Sequence, residues 1–138
     1  MIESSLISIR NILINNSLIT TKVSPSSIVI SYPNRELTYP CIVILNVSDD
    51  SRYYIGSIEE QDEHPYKHDI LMIQFDIKSK NSLKEVIEIS DILESIFDNK
   101  VSGFFGVVKA GGLPPLYDDT ENVFVRSIRF MFKVEISK

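Results

Sequence analysis

The chain has little of what most enzymes, secreted proteins and nucleic-acid binders carry, and each shortage closes a class of function. It has one cysteine, Cys41, so no intramolecular disulfide can form. That thiol lies in an apolar run, which marks it as a small buried hydrophobe and fits a reducing compartment. Fourteen Lys and Arg face nineteen Asp and Glu for a net charge of −5, and the basic residues stand singly or as spaced pairs. Tight capture of nucleic acid or anionic lipid needs clustered cations, so neither is expected. No apolar stretch approaches the ~20 residues needed to span a bilayer, and M-I-E-S-S-L lacks the basic start of a secretory signal. The reading is a cytosolic site of synthesis and no membrane partner.

Catalytic patterns are equally scarce. Serines abound, but none sits in G-x-S-x-G or a similar elbow. Gly111 and Gly112 lead into L-P-P-L instead of opening a helix, as a phosphate-binding loop would. The densest polar cluster, Glu59 to Asp69, holds His64 and His68 four apart with Asp62 and Asp69 beside them. On a helix such a pair can ligate a transition metal, but Pro65 interrupts it and no third strong ligand stands at a characteristic spacing. A solvated acidic loop is the better reading, as a solvated turn is for Asp118 and Asp119. Phe130 and Phe132 have the strand placement of base-stacking aromatics, yet they share a face with Ile128, Val134 and Ile136 and read as core. No catalytic residue, cofactor or metal is therefore expected.

What is present is an ordinary globular composition: 138 residues, 43% hydrophobic and 24% charged. A chain of that length buries roughly two thirds of its extended surface in one core, so a single domain is expected. Residues 3 to 16 place Leu6, Ile9 and Leu13 on one helical stripe, with Ile7 and Ile14 on an adjacent one. Pro25 breaks the chain before a short strand, Ile28 to Tyr32, and Pro40 leads into a second, Cys41 to Val47. Ser48 to Asp69 is a long polar segment that reads as an extended arm or loop. From Leu71 the chain alternates through Ile73, Phe75 and Ile77, a half-buried strand, and Ser82 with Glu85 forms a capping box for a helix to about Phe97. The stripe of that helix is read as Leu83, Val86, Ile87, Leu93, Ile96 and Phe97. A short strand, Phe104 to Lys109, and a long one, Phe124 to Ile136, complete the order. The expected fold is α+β: a mainly antiparallel sheet, two helices packed on one face, and a polar arm between the second and third strands.

Two features leave an apolar surplus. Cys41 to Val47 is a run broken only by Asn46, which needs cover on both faces, and the second helix is more apolar than one sheet face requires. In addition Tyr53, Tyr54, Phe104, Phe105, Leu113, Leu116 and Tyr117 fall in turn-rich segments where a monomer is usually polar, and they are read as partner-interface residues.

Taken in order, the N-terminal helix, Y-P-C-I-V-I, the polar arm, I-L-M-I-Q-F-D-I-K-S running into S-L-K-E-V-I-E-I-S-D-I-L, the glycine-rich loop and V-R-S-I-R-F-M-F-K-V-E-I resemble the tail terminator and tail-completion proteins of long-tailed phages. The resemblance covers nearly the whole chain. It implies a structural virion protein of the tail or neck, assembled in the host cytoplasm. Such a protein forms a homo-oligomeric ring, typically a hexamer, that caps the tail tube, ends its polymerisation and offers a surface for head-tail joining. The implied partners are the protein itself, the tail tube protein and a head-side connector protein, with DNA passing through without specific binding. Neighbouring subunits would then cover the second face of the Leu37 to Val47 strand. The alternatives are another phage neck or head-completion protein, or a small unrelated enzyme or ligand-binding protein.

Overall fold

The structure, a computed structural model, describes residues 2–47, 67–98, 104 and 106–136. The chain opens with α1 (Ile2–Ile14) and a single-turn helix α2 (Ser17–Thr20), separated where Asn16 turns extended and its side chain accepts from the Leu18 and Ile19 amides. The one helix expected over residues 3 to 16 thus ends two residues early, because an asparagine cap starts the next turn on a new axis. After a 3₁₀ turn come β1 (Ile28–Ile30) and β2 (Cys41–Asn46), then β3 (Lys67–Ser79), α3 (Leu83–Ile96), β4 (Gly106–Gly112), β5 (Leu116–Asp118) and β6 (Val123–Ile136).

The six strands form one mixed sheet in the order β1-β2-β3-β6-β4, with β5 also on β6. Only the β1–β2 pairing is parallel. The fold is α+β as the sequence indicates. β3 and β6 are the spine, paired from Lys67↔Ile136 to Ser79↔Phe124. That long register corrects the expected arm: Lys67, His68 and Asp69 are strand, because β6 extends far enough to pair them. The rest of the arm, with Tyr53, Tyr54 and His64, lies outside the described residues.

Period-2 alternation sends Leu71, Ile73, Phe75 and Ile77 of β3 and Ile128, Phe130 and Phe132 of β6 to one face, where they meet Ile42 and Ile44 of β2 and both long helices. α1 contributes Ile9 and Leu13. α3 contributes Val86, Ile89, Leu93 and the cap residue Phe97, with Ser90 also buried. This differs from the stripe read in the sequence: Ile89 faces the core, whereas Leu83 and Ile87 are exposed. The buried positions follow i, i+3, i+4, i+7, the spacing of one face, so Ile89 belongs with Val86 and Leu93, and Ile87 does not. At the centre Phe97 stacks on Phe75 at 5.4 Å and meets Phe130 and Phe132 at 5.6 and 5.3 Å. Ser82 caps α3 by accepting from the Glu85 amide at 3.1 Å. The capping box is only half made, since the Glu85 carboxylate accepts from Ser79 and Asn81 side chains.

Candidate interaction surface

The opposite face of the sheet carries no helix among the described residues, and its two ends differ. At the β2 end, Cys41 and Val43 point away from the helices yet have no exposed surface. The reason is the connection over residues 31–40, which is tied down over this face. Tyr32 Oη donates to Asp76 Oδ2 at 2.6 Å, and Asp76 is the residue opposite Val43. The second Asp76 oxygen accepts from Gln74 Nε2 at 2.8 Å and from Ser127 Oγ at 2.7 Å, while Arg129 Nε donates to Gln74 Oε1 at 2.8 Å. Next along the strand, the Lys78 ammonium pairs with Glu121 Oε1 at 2.7 Å and lies 4.7 Å from the Tyr32 ring centroid. Lys80 sits over Tyr39 in the same way, and the Tyr39–Pro40 peptide is cis.

The electrostatics follow from burial. Desolvation, with the hydrogen bond to Asp76, pushes the Tyr32 phenol well above its usual range. Burial alone pulls the Lys78 ammonium down, but its bond to Glu121 and the neighbouring Tyr32 outweigh that and raise it. Desolvation lifts the Cys41 thiol to about 11. A buried thiol held neutral is a poor nucleophile, so this cluster is a clasp rather than reactive machinery. Sequence reading missed it, because Tyr32, Asp76 and Ser127 are dozens of residues apart and meet only through the β2–β3–β6 register. At Cys41 and Val43 the expectation that a neighbouring subunit covers the second face of the Leu37 to Val47 strand is corrected, since the chain covers both itself, whereas Val47 is exposed.

The other end is different. β4 and β5 occupy one edge of β6 in succession, with the corner L-P-P between them. Gly112 makes that corner, at φ 151°, where a Cβ would collide with the Ser127 carbonyl oxygen. The Leu113 amide then donates to that oxygen at 2.9 Å. Leu113 is 58% exposed, Leu116 43% and Tyr117 49%. Tyr117 lies edge-on to Phe124 at 5.0 Å and donates to Asn122 Oδ1, so its ring is oriented without being buried. Val108 is exposed on the same edge. Asn122, at φ 59°, and the Asp118 side chain, which accepts from the Thr120 amide at 2.9 Å, close the turn into β6.

Of the seven residues read as interface, Leu113, Leu116 and Tyr117 lie together on this edge. Phe104 does not: it is 8% exposed and packs edge-on against Phe132 at 5.0 Å. It closes the core below Phe97, so its place among turn formers concealed a packing role. Phe105, Tyr53 and Tyr54 lie outside the described residues. His68 is the second residue of β3, and the described residues contain no group of three or more His, Cys, Asp or Glu placed to hold a metal. Among them, no helix is long and apolar enough to cross a membrane.

This geometry defines an α+β domain with one helix-covered sheet face and an apolar, partly open strand edge. The sequence matches no described protein family, and no curated protein is similar to it.

Proposed function

We propose that the protein is a structural subunit that assembles into a closed ring capping the tail tube of a long-tailed phage, ending tube growth and presenting the joining surface for the head. The reading rests on the resemblance of the ordered elements to tail terminator proteins. The observation that carries it is that Leu113, Leu116 and Tyr117 are exposed close together, at the corner after β4 and on the short strand β5. A ring of identical subunits needs two different, complementary patches on each copy, because a head-to-tail contact is not self-complementary. The corner after Gly112, together with β5, supplies one such patch. The opposite edge is unlike it: β1 has three residues, α1 packs beside it, and Arg10 Nε donates to the Ile28 carbonyl at 2.6 Å. Large exposed aliphatic and aromatic side chains grouped at one place are the usual mark of a protein contact.

Negative-stain electron microscopy of the purified protein, alone and with tail tube protein, tests the proposal. Rings with a central hole, or tubes capped at one end and halted in length, are expected. Monomers in both samples at high concentration would count against it.

A further inference from the structure

We propose that the free edge of β4 and the cleft beside it receive an extended, lysine- or arginine-bearing segment of a partner protein, added to the sheet as a further strand. This site is separate from the exposed Leu113–Tyr117 patch and does not depend on the ring.

Three observations point there. First, β4 is the terminal strand of the sheet order, and its outer side has no strand partner among the described residues. The β1 edge is blunted by its short length and by the Arg10 bond to Ile28, whereas β4 has no proline and pairs regularly from Gly106 to Lys109 before a bulge at Lys109–Gly111, so the added strand lies along Gly106–Lys109. Second, a cleft of about 550 Å³ lies between β4 and α3, floored by Phe97, Val107 and Phe130. Its lining includes Val108, which alternates to the opposite face from Val107, so the cleft reaches the backbone edge of the strand. An unpaired strand edge facing a helix across an apolar-floored groove is the geometry of strand addition, in which main-chain bonds supply affinity and alternate side chains supply choice.

Third, charge selects the occupant. Asp91 and Glu94 on α3, and Asp98 just past its Phe97 cap, line the helix side of the cleft. Glu94 is already neutralised, by Lys109 at 2.9 Å and Arg126 at 3.3 Å. Asp91 and Asp98 are exposed and have no ion pair among the described residues. Asp91 and Asp98, seven residues apart, stand about 10 Å apart along the helix direction, a gap that long, flexible cationic side chains recurring every ~6.6 Å on one face of an added strand can bridge. Segment 48–66 of this chain, with six carboxylates against one arginine, carries the wrong charge to complement that cleft. Opposite potentials guide partner choice more than affinity, so the pairing is expected to be weak, selective and sensitive to salt.

The test uses the intact protein labelled with ¹⁵N and a short capped peptide of alternating lysine and threonine. Addition of the peptide is expected to shift the amides of Val107–Gly111 and of α3, and to slow hydrogen exchange along β4. A peptide alternating glutamate and threonine should bind at least about tenfold more weakly, as should the lysine peptide N-methylated at alternate amides. Asp91→Lys with Asp98→Lys should invert the preference, with Leu116→Asp leaving it unchanged. Equal binding of the methylated peptide would mean charge adhesion without strand pairing and would overturn the proposal. So would protection, in the free monomer, of the β4 amides that point away from β6, or protection of those amides that rises with protein concentration alone, which would assign the edge to this chain or to a second copy. Oligomeric mass of the double variant, measured alongside, separates failure here from failure of the ring reading.

Discussion

The second face of β2 and the β4–β5 edge both carry more apolar side chain than their positions in the chain suggest, and only one of them is left open. Over β2, residues 31–40 fold back and are held by Tyr32, which donates to Asp76 and lies against the Lys78 ammonium, and Cys41 and Val43 end with no exposed surface. At β4–β5 the chain has already turned a corner at Gly112, and nothing among the described residues returns over Leu113, Leu116 and Tyr117. The difference is one of polar anchoring. A loop covers an apolar face only if it brings partners for the buried polar groups beneath it, and here Tyr32 of the loop joins Gln74 of β3 and Ser127 of β6 as the donors to Asp76. Surplus apolar sequence therefore marks an interface only where the chain has no segment anchored to cover it.

The sharpest way to break this contrast is Val43→Asp. If the β2 face is sealed within one chain, the variant buries an unpaired carboxylate and should lose its cooperative thermal transition, followed by circular dichroism. A folded, merely monomeric variant would reassign that face to a subunit contact. Phe104→Ala comes next, with an expected loss of about 3 kcal/mol in denaturant unfolding, the usual cost of deleting a buried phenylalanine ring. A loss under about 0.5 kcal/mol, the range of surface substitutions, would return Phe104 to the interface.

Tyr32→Phe sharpens the clasp itself. It removes one donor from a largely buried carboxylate, and about 1–2 kcal/mol of stability should go with it. The alkaline limb tests the same seal. The Cys41 thiol is raised in the folded chain, from 9.0 to about 11. Above pH 9 the unfolded thiol ionises while the folded one stays protonated, so the folded state binds more protons and stability falls as pH climbs toward 11. The contribution is roughly 2 kcal/mol, and Cys41→Ala should flatten the slope of unfolding free energy between pH 9 and 11 by that amount. An unchanged slope would show that the thiol is not held neutral by burial.

How far the sequence carried this picture depends on the range of the forces involved. Alternation through Leu71–Ile77 and Ile128–Phe132, and the Ser82 cap of α3, are local signals, and each element stands where its pattern puts it. The parallel pairing of β1, the split between α1 and α2 and the β5 segment were not legible. β1 and β5 are three residues long and exist because a neighbouring strand offers an edge. Leu113, Leu116 and Tyr117 were legible as exposed because prolines and glycines around them oppose burial. Phe104 was misread for the same reason: turn chemistry describes the backbone around it, while its ring is placed by Phe132, far along the chain. The Asp76 clasp depends wholly on strand register.

The most direct measurement is the mass of the wild-type protein and of Leu116→Asp across a concentration series, by light scattering during size exclusion, with monomer stability followed in parallel. The account predicts a wild-type mass several times 15.7 kDa, assembly weakened by more than ~1 kcal/mol in the variant, as for an interface anchor, and monomer stability changed by less than ~0.5 kcal/mol. Equal masses for the two proteins, or a variant that loses as much folding stability as assembly, would contradict it.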